Sequence, residues 1–313
     1  MTTFSKKIKE RISNNYYLFI IFTNIRAYSL YYLNRISGYS LEKRRFYTIL
    51  GYKVNLRNPK TFNEKIMWKK IYDRNPLLSV TADKYEVRSY VKEILGEKKA
   101  KEILIPLLYV TNKPETIPFD ELPIPFIIKP NHYSGQYIII RNRSYDKKGI
   151  IRTCRKWLKT PYGLEKLEWA YQPIKRKIVI EKLLLENGDI PKDFKFHMFH
   201  GKCESVKVFL NRMTNRFTCS FDHNWNCIPN KDSKQTEKPK IEKPKNYEFM
   251  LEYAEKLSKP FDYVRVDFYS IDGKIYFGEL THYPKSGLIK SGAALSNYEP
   301  GKCWSIKPKY WEK

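Results

Sequence analysis

Val264-Arg-Val-Asp-Phe-Tyr-Ser-Ile-Asp-Gly-Lys-Ile-Tyr-Phe-Gly-Glu-Leu-Thr281 reads as a β-hairpin. Two runs rich in β-branched and aromatic residues flank Ile271-Asp-Gly273, and Asp-Gly is a dipeptide that tight hairpin turns favour. Side chains alternate along a strand with period two, so Arg265 and Asp267 share one face, as do Glu279 and Thr281. Two acids on one face of an otherwise apolar hairpin repel each other unless a cation lies between them. Mg2+ accepts one or two carboxylates and leaves its other positions to water and phosphate. A salt bridge from Arg265 is the competing explanation.

Outward from the hairpin, the second half of the chain is mostly β. Strands are expected at residues 194–199, 205–210 and 216–221, with one helix at 247–257 and a solvated Lys/Pro/Glu-rich loop at 231–245. The first half is different. Residues 1–80 read as helical, and Thr61-Phe-Asn-Glu64 is a capping-box pattern opening a helix to about Tyr72. A second helix is expected from about Ala82 to Leu95. The period then changes, with short strands expected at 103–110, 126–129, 137–141 and 177–184 and a basic helix at 147–159. Strands and helices segregate more than they alternate, which predicts an α+β protein with antiparallel sheets.

Three further features carry chemistry. Pro125-Phe-Ile-Ile-Lys-Pro130 sets Lys129 at the end of an apolar strand, before a small polar loop. Backbone packing there delivers an ammonium to a phosphate, with N–H groups of Ser134 and Gly135 reaching others, and the head group is expected to be unpaired without that ligand. Lys177-Ile-Val-Ile-Glu-Lys-Leu-Leu184 is an apolar strand ending in Glu181, which suits an adenine edge or a ribose, or else is an ordinary exposed strand-end acid. Pro284-Lys-Ser-Gly287 follows the acidic strand, and its turn offers the Ser286 hydroxyl and the N–H groups of Ser286 and Gly287 to a substrate anion.

Composition sets the outer bounds. The chain has 313 residues, 42% of them hydrophobic, enough for a sizeable core and two lobes. Its 59 Lys+Arg against 33 Asp+Glu give a formal charge of +26, which points to a polyanionic partner. Cys154, Cys203, Cys219, Cys227 and Cys303 are scattered and odd in number, and no signal peptide is recognisable. They read as reduced thiols in the cytoplasm. Cys219, His223 and Cys227 have passable spacing for part of a zinc site, but no fourth ligand pair is near. No apolar run is long enough to span a bilayer; the nearest, residues 16–23, stops at Asn24 and Arg26. That run lies in a segment from Lys6 to Arg35 that interleaves Lys/Arg with aromatic and aliphatic residues. It suits a membrane surface, but its apolar residues fall nearly all round a helix, so burial against the body is the expectation.

The order Asp83-Lys84, Pro125-Phe-Ile-Ile-Lys-Pro130, Ile180-Glu181, Arg265-Val-Asp267 and Glu279-Leu-Thr281 resembles the ATP-grasp superfamily. More narrowly, Asn58-Pro-Lys-Thr-Phe-Asn-Glu-Lys-Ile66, Tyr72-Asp-Arg-Asn75, Phe261-Asp-Tyr-Val-Arg-Val-Asp-Phe268 and Gly273-Lys-Ile-Tyr-Phe-Gly-Glu-Leu-Thr281 resemble its TupA-like branch, which occurs in gene sets for capsules, lipopolysaccharides and other surface polysaccharides. The similarity covers roughly residues 52–287. It implies two α+β lobes gripping ATP, with a basic helical region (1–80) in place of the usual Rossmann-like domain, an N-terminal lobe with a phosphate-covering loop (81–185) and a C-terminal lobe with a metal-binding hairpin (186–313). It implies that Lys84 and Lys129 contact the ATP phosphates, while the loop with His132, Ser134 and Gly135 closes over them. Glu181 and the backbone at Lys182 and Leu184 would hold adenine and ribose. Asp267 and Glu279, helped by Thr281, would bind Mg2+. Arg265 would face the transferred phosphoryl group or the later oxyanion, and Lys195 would be another phosphate-facing cation. The sequence departs from the branch at His132-Tyr133, bulkier than expected, at Lys285, where glycine is expected, and at His282, where an aromatic is expected.

The implied activity is an ATP-dependent carboxylate–amine ligase acting through an acylphosphate. The acceptor would be an anionic sugar, as a nucleotide sugar or lipid-linked, and the donor an amine, in the cytoplasm or at the inner face of the membrane with peripheral contact to anionic lipid. A sugar kinase on the same scaffold and a glycosyltransferase are the alternatives, the latter lacking an Asp-x-Asp metal motif. Nucleic-acid binding by the 25 Tyr and 17 Phe among so many cations is the third. Core packing accounts for those aromatics more simply.

Overall fold

The computed structural model describes residues 15–210, 217–229, 241–290, 300–310 and 312. In chain order the helices of the first half are α1 (Tyr16–Ile36), α2 (Ser40–Leu50), α3 (Phe62–Tyr72), α4 (Leu77–Ala82), α5 (Val87–Leu95) and α6 (Glu97–Ile103). Strands β1 (Leu107–Thr111), β2 (Phe126–Pro130) and β3 (Ile138–Ile140) follow, then helix α7 (Lys147–Lys159) and β4 (Ile178–Lys182). The rest comprises β5 (Asp193–Phe199), β6 (Lys202–Leu210), β7 (Phe217–Phe221), helix α8 (Tyr247–Ser258), β8 (Tyr263–Ile271), β9 (Lys274–Thr281) and a short α9 (Pro300–Cys303). The strands form a sheet of order β1-β4-β2-β3 and one of order β7-β6-β5-β8-β9, with antiparallel pairing throughout. The fold is α+β, with two antiparallel sheets. Two compact units divide it, Met1–Arg44 with Leu107–Leu183, and Arg45–Pro106 with Leu184–Lys313.

In the first unit the sheet buries one face. Phe126 and Ile128 of β2 and Ile178 and Ile180 of β4 pack with Cys154 and Trp157 of α7. The other face carries Ile127, Lys129, Val179 and Glu181, in register across β2 and β4. Helix α1 meets α7 through Asn24, whose amide donates to the Lys159 carbonyl at 3.2 Å, and through the Lys156 ammonium, 4.9 Å from the Phe19 ring centre.

In the second unit α8 covers the face of the five-stranded sheet that carries Phe196 and Phe268, with Tyr247 stacked on Phe196. At one end of the opposite face Tyr263 and Phe199 meet Phe62 of α3 and the fully buried Trp304. Helix α3 is fixed at its start by the expected capping box. Glu64 accepts from the Asn55, Lys60 and Thr61 N–H groups at 2.9, 3.0 and 2.9 Å, and Thr61 accepts from the Glu64 N–H. Farther along, Lys69 is wholly buried between Asp73 and Asp262, with the Tyr310 hydroxyl at 3.2 Å. Burial opposes its charge, but the two aspartates outweigh that and raise its pKa well above the ordinary lysine value.

The expected strands form, with corrections at two places. Residues 103–110 are not one strand: α6 runs through Ile103 and β1 starts only at Leu107. Glu97-Lys-Lys-Ala-Lys-Glu102 is a run of strong helix formers with an acid in the first turn, and Pro106 separates it from β1. The helix expected from about Ala82 to Leu95 starts later than expected: α4 ends at Ala82 and α5 runs from Val87 to Leu95. Asp83 turns the chain, its carboxylate accepting from the N–H groups of Tyr85 at 2.8 Å and Glu86 at 3.3 Å. Most of the loop expected at 231–245 lies outside the described residues, as does Arg216.

Three N–H groups converge on Glu64 at the start of α3. Glu64→Ala is expected to destabilise the protein by about 3 kcal/mol, since it strands several partly buried donors at once. The urea midpoint, read at unchanged slope, measures it.

Candidate active site

The hairpin of β8 and β9 is built by its turn and by a bulge. Asp272 (φ 48°) and Gly273 (φ 75°) both adopt left-handed backbone, the geometry that joins two twisted strands in a two-residue loop. Pairing then runs Tyr269↔Tyr276 and Phe268↔Phe277, but Asp267 pairs with Glu279, so Gly278 is the extra residue. A Cβ there would lie 3.0 Å from the Asp267 carbonyl oxygen and 3.3 Å from the Tyr269 ring. The bulge also reverses parity. Ile275 and Phe277 point into the core, and strict alternation would send Glu279 after them. The inserted residue instead puts Glu279 and Thr281 on the face of Asp267 and Arg265.

On that face the charges are interlocked. The Arg265 guanidinium donates to both oxygens of Asp267, at 2.6 Å each, and one of its nitrogens also reaches Glu279 Oε1 and Thr281 Oγ1 at 3.0 Å. Thr281 donates to the same Glu279 oxygen at 2.8 Å. From β5, the Lys195 ammonium bonds Asp267 Oδ2 and lies 2.8 Å from Asp193 Oδ2. Arg265 is thus the cation between the two acids. Asp267 is 2% exposed, whereas the side chain of Glu279 is 41% exposed.

The two acids titrate in opposite directions. Burial pushes the Asp267 carboxyl up, Arg265 and Lys195 pull it down, and Asp193 pushes it up again, leaving it above the usual aspartate value. Burial also pushes Glu279 up, but Arg265, Lys84 and Lys195 outweigh it and hold it at about 2. Lys84, in the turn that Asp83 makes, therefore belongs electrostatically to this cluster. Below Arg265 along the sheet, His197 accepts from or donates to the Tyr263 hydroxyl at 3.0 Å. Burial, then Arg265, Lys207 and Lys195, keep its pKa well below the usual histidine value, so it adds no positive charge at neutral pH.

In the first unit Lys129 is not unpaired, as the sequence led one to expect. Its ammonium bonds Glu181 Oε2 across β2 and β4, and Glu181 is 5% exposed rather than an open strand-end acid. The loop after Lys129 has a fixed base and an open tip. Asn131 accepts from the Lys177 N–H at 2.8 Å and donates to the Lys175 carbonyl at 3.0 Å, and the buried His132 ring lies 3.3 Å from the Asn131 oxygen. Tyr133 stacks on Tyr162 at 4.3 Å, while Ser134 and Gly135 are exposed. The Lys182 side chain is exposed and Leu184 is half-buried; between them the Leu183 N–H is taken by the Pro125 carbonyl.

The turn after β9 docks onto α3. Lys285 and Ser286 adopt left-handed backbone, and the Lys70 ammonium donates to the Ser286 hydroxyl at 3.0 Å. At Gly287 a Cβ would come within 3.0 Å of the Asn63 carbonyl and of the Ile66 side chain, so glycine is required by close approach. His282 fills an aromatic position, 5.0 Å from the Phe261 ring, while its Nε2 bonds Thr81 Oγ1 at 2.8 Å. Among the described residues no three His, Cys, Asp or Glu side chains group as a metal cage, and Cys219 is buried on β7 while Cys227 is exposed.

A protein-family model described as TupA-like ATP-grasp matches residues 64–293. The chain belongs to the TupA-like ATP-grasp family. Similar solved structures include D-alanine–D-alanine ligase from Helicobacter pylori, at 15% identity over 74% of this chain and 60% of that one, with a TM-score of 0.40. The Bacillus anthracis D-alanine–D-alanine ligase complexed with ATP is 16% identical over 72% of this chain and 68% of that one, with a TM-score of 0.42. L-amino acid ligase from Bacillus licheniformis is 12% identical over 72% and 50%, again at 0.42. This TupA-like chain spans about 60% of the length of the first of them. A comparison with curated proteins finds no match.

Sequence reasoning missed Gly278, Asp193 and His197. The first had a signal, since an isolated glycine inside a strand pattern marks a bulge. The other two had none, because their importance comes from the register of β5 on β8.

Two tests follow from these charges. Lys129→Met leaves a buried Glu181 carboxylate without its cation, so it is expected to destabilise by about 2 kcal/mol, with Glu181→Gln added in the same chain restoring most of it. Chemical denaturation of both variants measures this. For Glu279 the folded value of about 2 lies below the ordinary 4.5, so its stabilisation is full above the ordinary value and is lost as pH falls through about 2. Glu279→Gln is accordingly expected to flatten the acid-unfolding curve between those limits, as followed by circular dichroism.

Proposed function

We propose that this TupA-like ATP-grasp protein is an ATP- and Mg2+-dependent carboxylate–amine ligase working through an acylphosphate. Its carboxylate would belong to a uronic acid of a capsule, lipopolysaccharide or other surface polysaccharide, presented as a nucleotide sugar or on a lipid carrier. The observation that carries this reading is the pairing of Asp267 with Glu279 under one arginine. Three carboxylates, Asp193, Asp267 and Glu279, face Arg265, Lys195 and, electrostatically, Lys84, and the donors of this cluster are hard oxygens. Such a set fits Mg2+, with Asp267 and Glu279 as ligands and Thr281 beside them. When bound, the ion would neutralise charge on phosphate oxygens.

The chain's own residues account for the rest. Lys84, Lys129 and Lys195 supply ammonium groups to phosphate, with Glu181 holding Lys129 and facing adenine and ribose together with the backbone at Lys182 and Leu184. Ser134 and Gly135, at the open tip of a loop anchored by Asn131 and His132, cover the phosphates. A substrate carboxylate oxygen attacks the γ-phosphorus, the bond to the bridging oxygen breaks, and ADP departs. An amine nitrogen then attacks the acyl carbon, Arg265 stabilises the tetrahedral oxyanion, and phosphate leaves as the nitrogen gives up its proton. Ser286 and Gly287, at the turn after the acidic strand, are proposed to border the acceptor. The net charge of +26 supports an acidic acceptor, and the use of ATP supports a cytoplasmic reaction.

Incubation with ATP, Mg2+ and pooled uronic acids in hydroxylamine tests the acylphosphate. A hydroxamate with stoichiometric ADP is expected, whereas ADP with a phosphorylated sugar and no hydroxamate would make the protein a kinase. Asp267→Asn and Glu279→Gln are each expected to lower turnover at least ~100-fold while the fold survives. Wild-type turnover in either removes the metal from the mechanism.

A further inference from the structure

Helix α1 departs from the expectation that its apolar residues are buried. Of its described side chains only Ala27 and Asn34 are buried. Tyr17 (75%), Ile25 (62%) and Ile36 (85%) are largely exposed, and Ile21, Phe22, Tyr28, Tyr32 and Leu33 lie open beside them. At about 100° per residue these exposed positions fall within one half of the helix circumference, opposite Ala27 and Asn34. The ordering is sharp. The open half is apolar except for Ser29, and its two edges are marked by Arg26 and Arg35, both exposed.

We infer that α1 lies along the surface of an anionic membrane, with this half-cylinder of Tyr, Ile, Leu and Phe in the lipid interface and its arginines at headgroup level. The inference goes beyond the ligase reading and does not depend on it. A helix with an apolar face of this breadth and cationic edges binds in the plane of an interface, and tyrosines sit well where one end is apolar and the other wet. The helix does not cross a bilayer, since no helix among the described residues is long and apolar enough.

Charge selects the occupant. Lys43 and Arg44 follow shortly after the helix and are exposed, and the sequence before it carries Lys6, Lys7, Lys9 and Arg11. With a net charge of +26, a second copy of the chain would bring like charge to this face, whereas an anionic lipid surface brings the opposite sign. In the sequence before the helix, Met1, Phe4, Ile8 and Ile12 are the apolar members.

Co-sedimentation of the full chain with vesicles tests this. Binding is expected to vesicles of phosphatidylcholine and phosphatidylserine in a two-to-one ratio, and to be at least ~10-fold weaker on phosphatidylcholine alone. Ile21→Asp with Ile25→Asp is expected to weaken binding at least ~10-fold at unchanged circular dichroism and unchanged affinity for an ATP analogue. Tyr28→Ser with Tyr32→Ser, which adds no charge, is expected to act in the same direction. Arg26→Glu with Arg35→Glu is expected to weaken binding and reduce its salt dependence. The inference is overturned if the wild-type chain ignores the mixed vesicles or if the aspartate variant binds them as well as wild type. It is also overturned if ultracentrifugation shows a dimer that the same variant dissolves.

Discussion

Two carboxylates on facing positions of neighbouring strands repel, and the second unit is arranged around making Asp267 and Glu279 tolerable. Arg265 meets both from β8 itself, two residues before Asp267, and Lys195 joins from the next strand. Neither cation could do so without the register that sets Lys195 opposite Asp267 and Arg265 opposite Thr281. That register in turn needs a residue with no side chain at position 278, where the β9 backbone passes close to the Asp267 carbonyl. The aromatic group of Tyr263, Phe199 and Trp304 lies on the same face and buries that end of it, so the charged end has a rigid neighbour.

The opposite titration of the two acids gives them unequal characters. Glu279 is partly exposed and surrounded by three cations, so it stays ionised across any working pH. Asp267 is deeper and shares its neighbourhood with Asp193, so its charge depends on Arg265 and Lys195 remaining close. Both acids bond Arg265, but Glu279 reaches solvent whereas Asp267 is buried among its partners. With Arg265 and Lys195 in place, neither acid is left as a bare buried charge.

Much of this was readable in the sequence, and the limits have physical causes. Period-two alternation and the Asp-Gly turn located the acidic hairpin, and Thr61 with Glu64 located the start of α3. The basic helix at 147–159 was found at its observed bounds because its apolar residues keep a helical spacing. The strand expected at 103–110 begins four residues too early, and the short helix Glu97–Ile103 before it is not anticipated. The break at Asp83 was hidden because a side-chain bond to two N–H groups, rather than a glycine or proline, ends α4. Partners were harder still. Lys129 meets Glu181 only because β2 lies beside β4; the two residues are 52 positions apart in the chain, which contributes nothing to a local pattern. The exposure of α1 could not be foreseen, because an apolar helix surface says that burial is favourable without saying what provides it.

The C-terminal residues bear on how the protein can be divided. Trp304 stacks on Tyr263, its indole donates to Asp262, and its carbonyl takes the Lys65 ammonium, while Tyr310 reaches Lys69 and Asp73. Trp304 and Tyr310, which make all of these contacts, lie past residue 293, where the family match ends. The packing of the second unit therefore reaches beyond the span that defines the family. A fragment trimmed to the matched residues would keep its proposed ligands and lose the lid on its own aromatic core, with two lysines of α3 opened to water. In this chain the homologous region and the packed core have different borders, and a tryptophan and a tyrosine carry the core past the end of the homologous region.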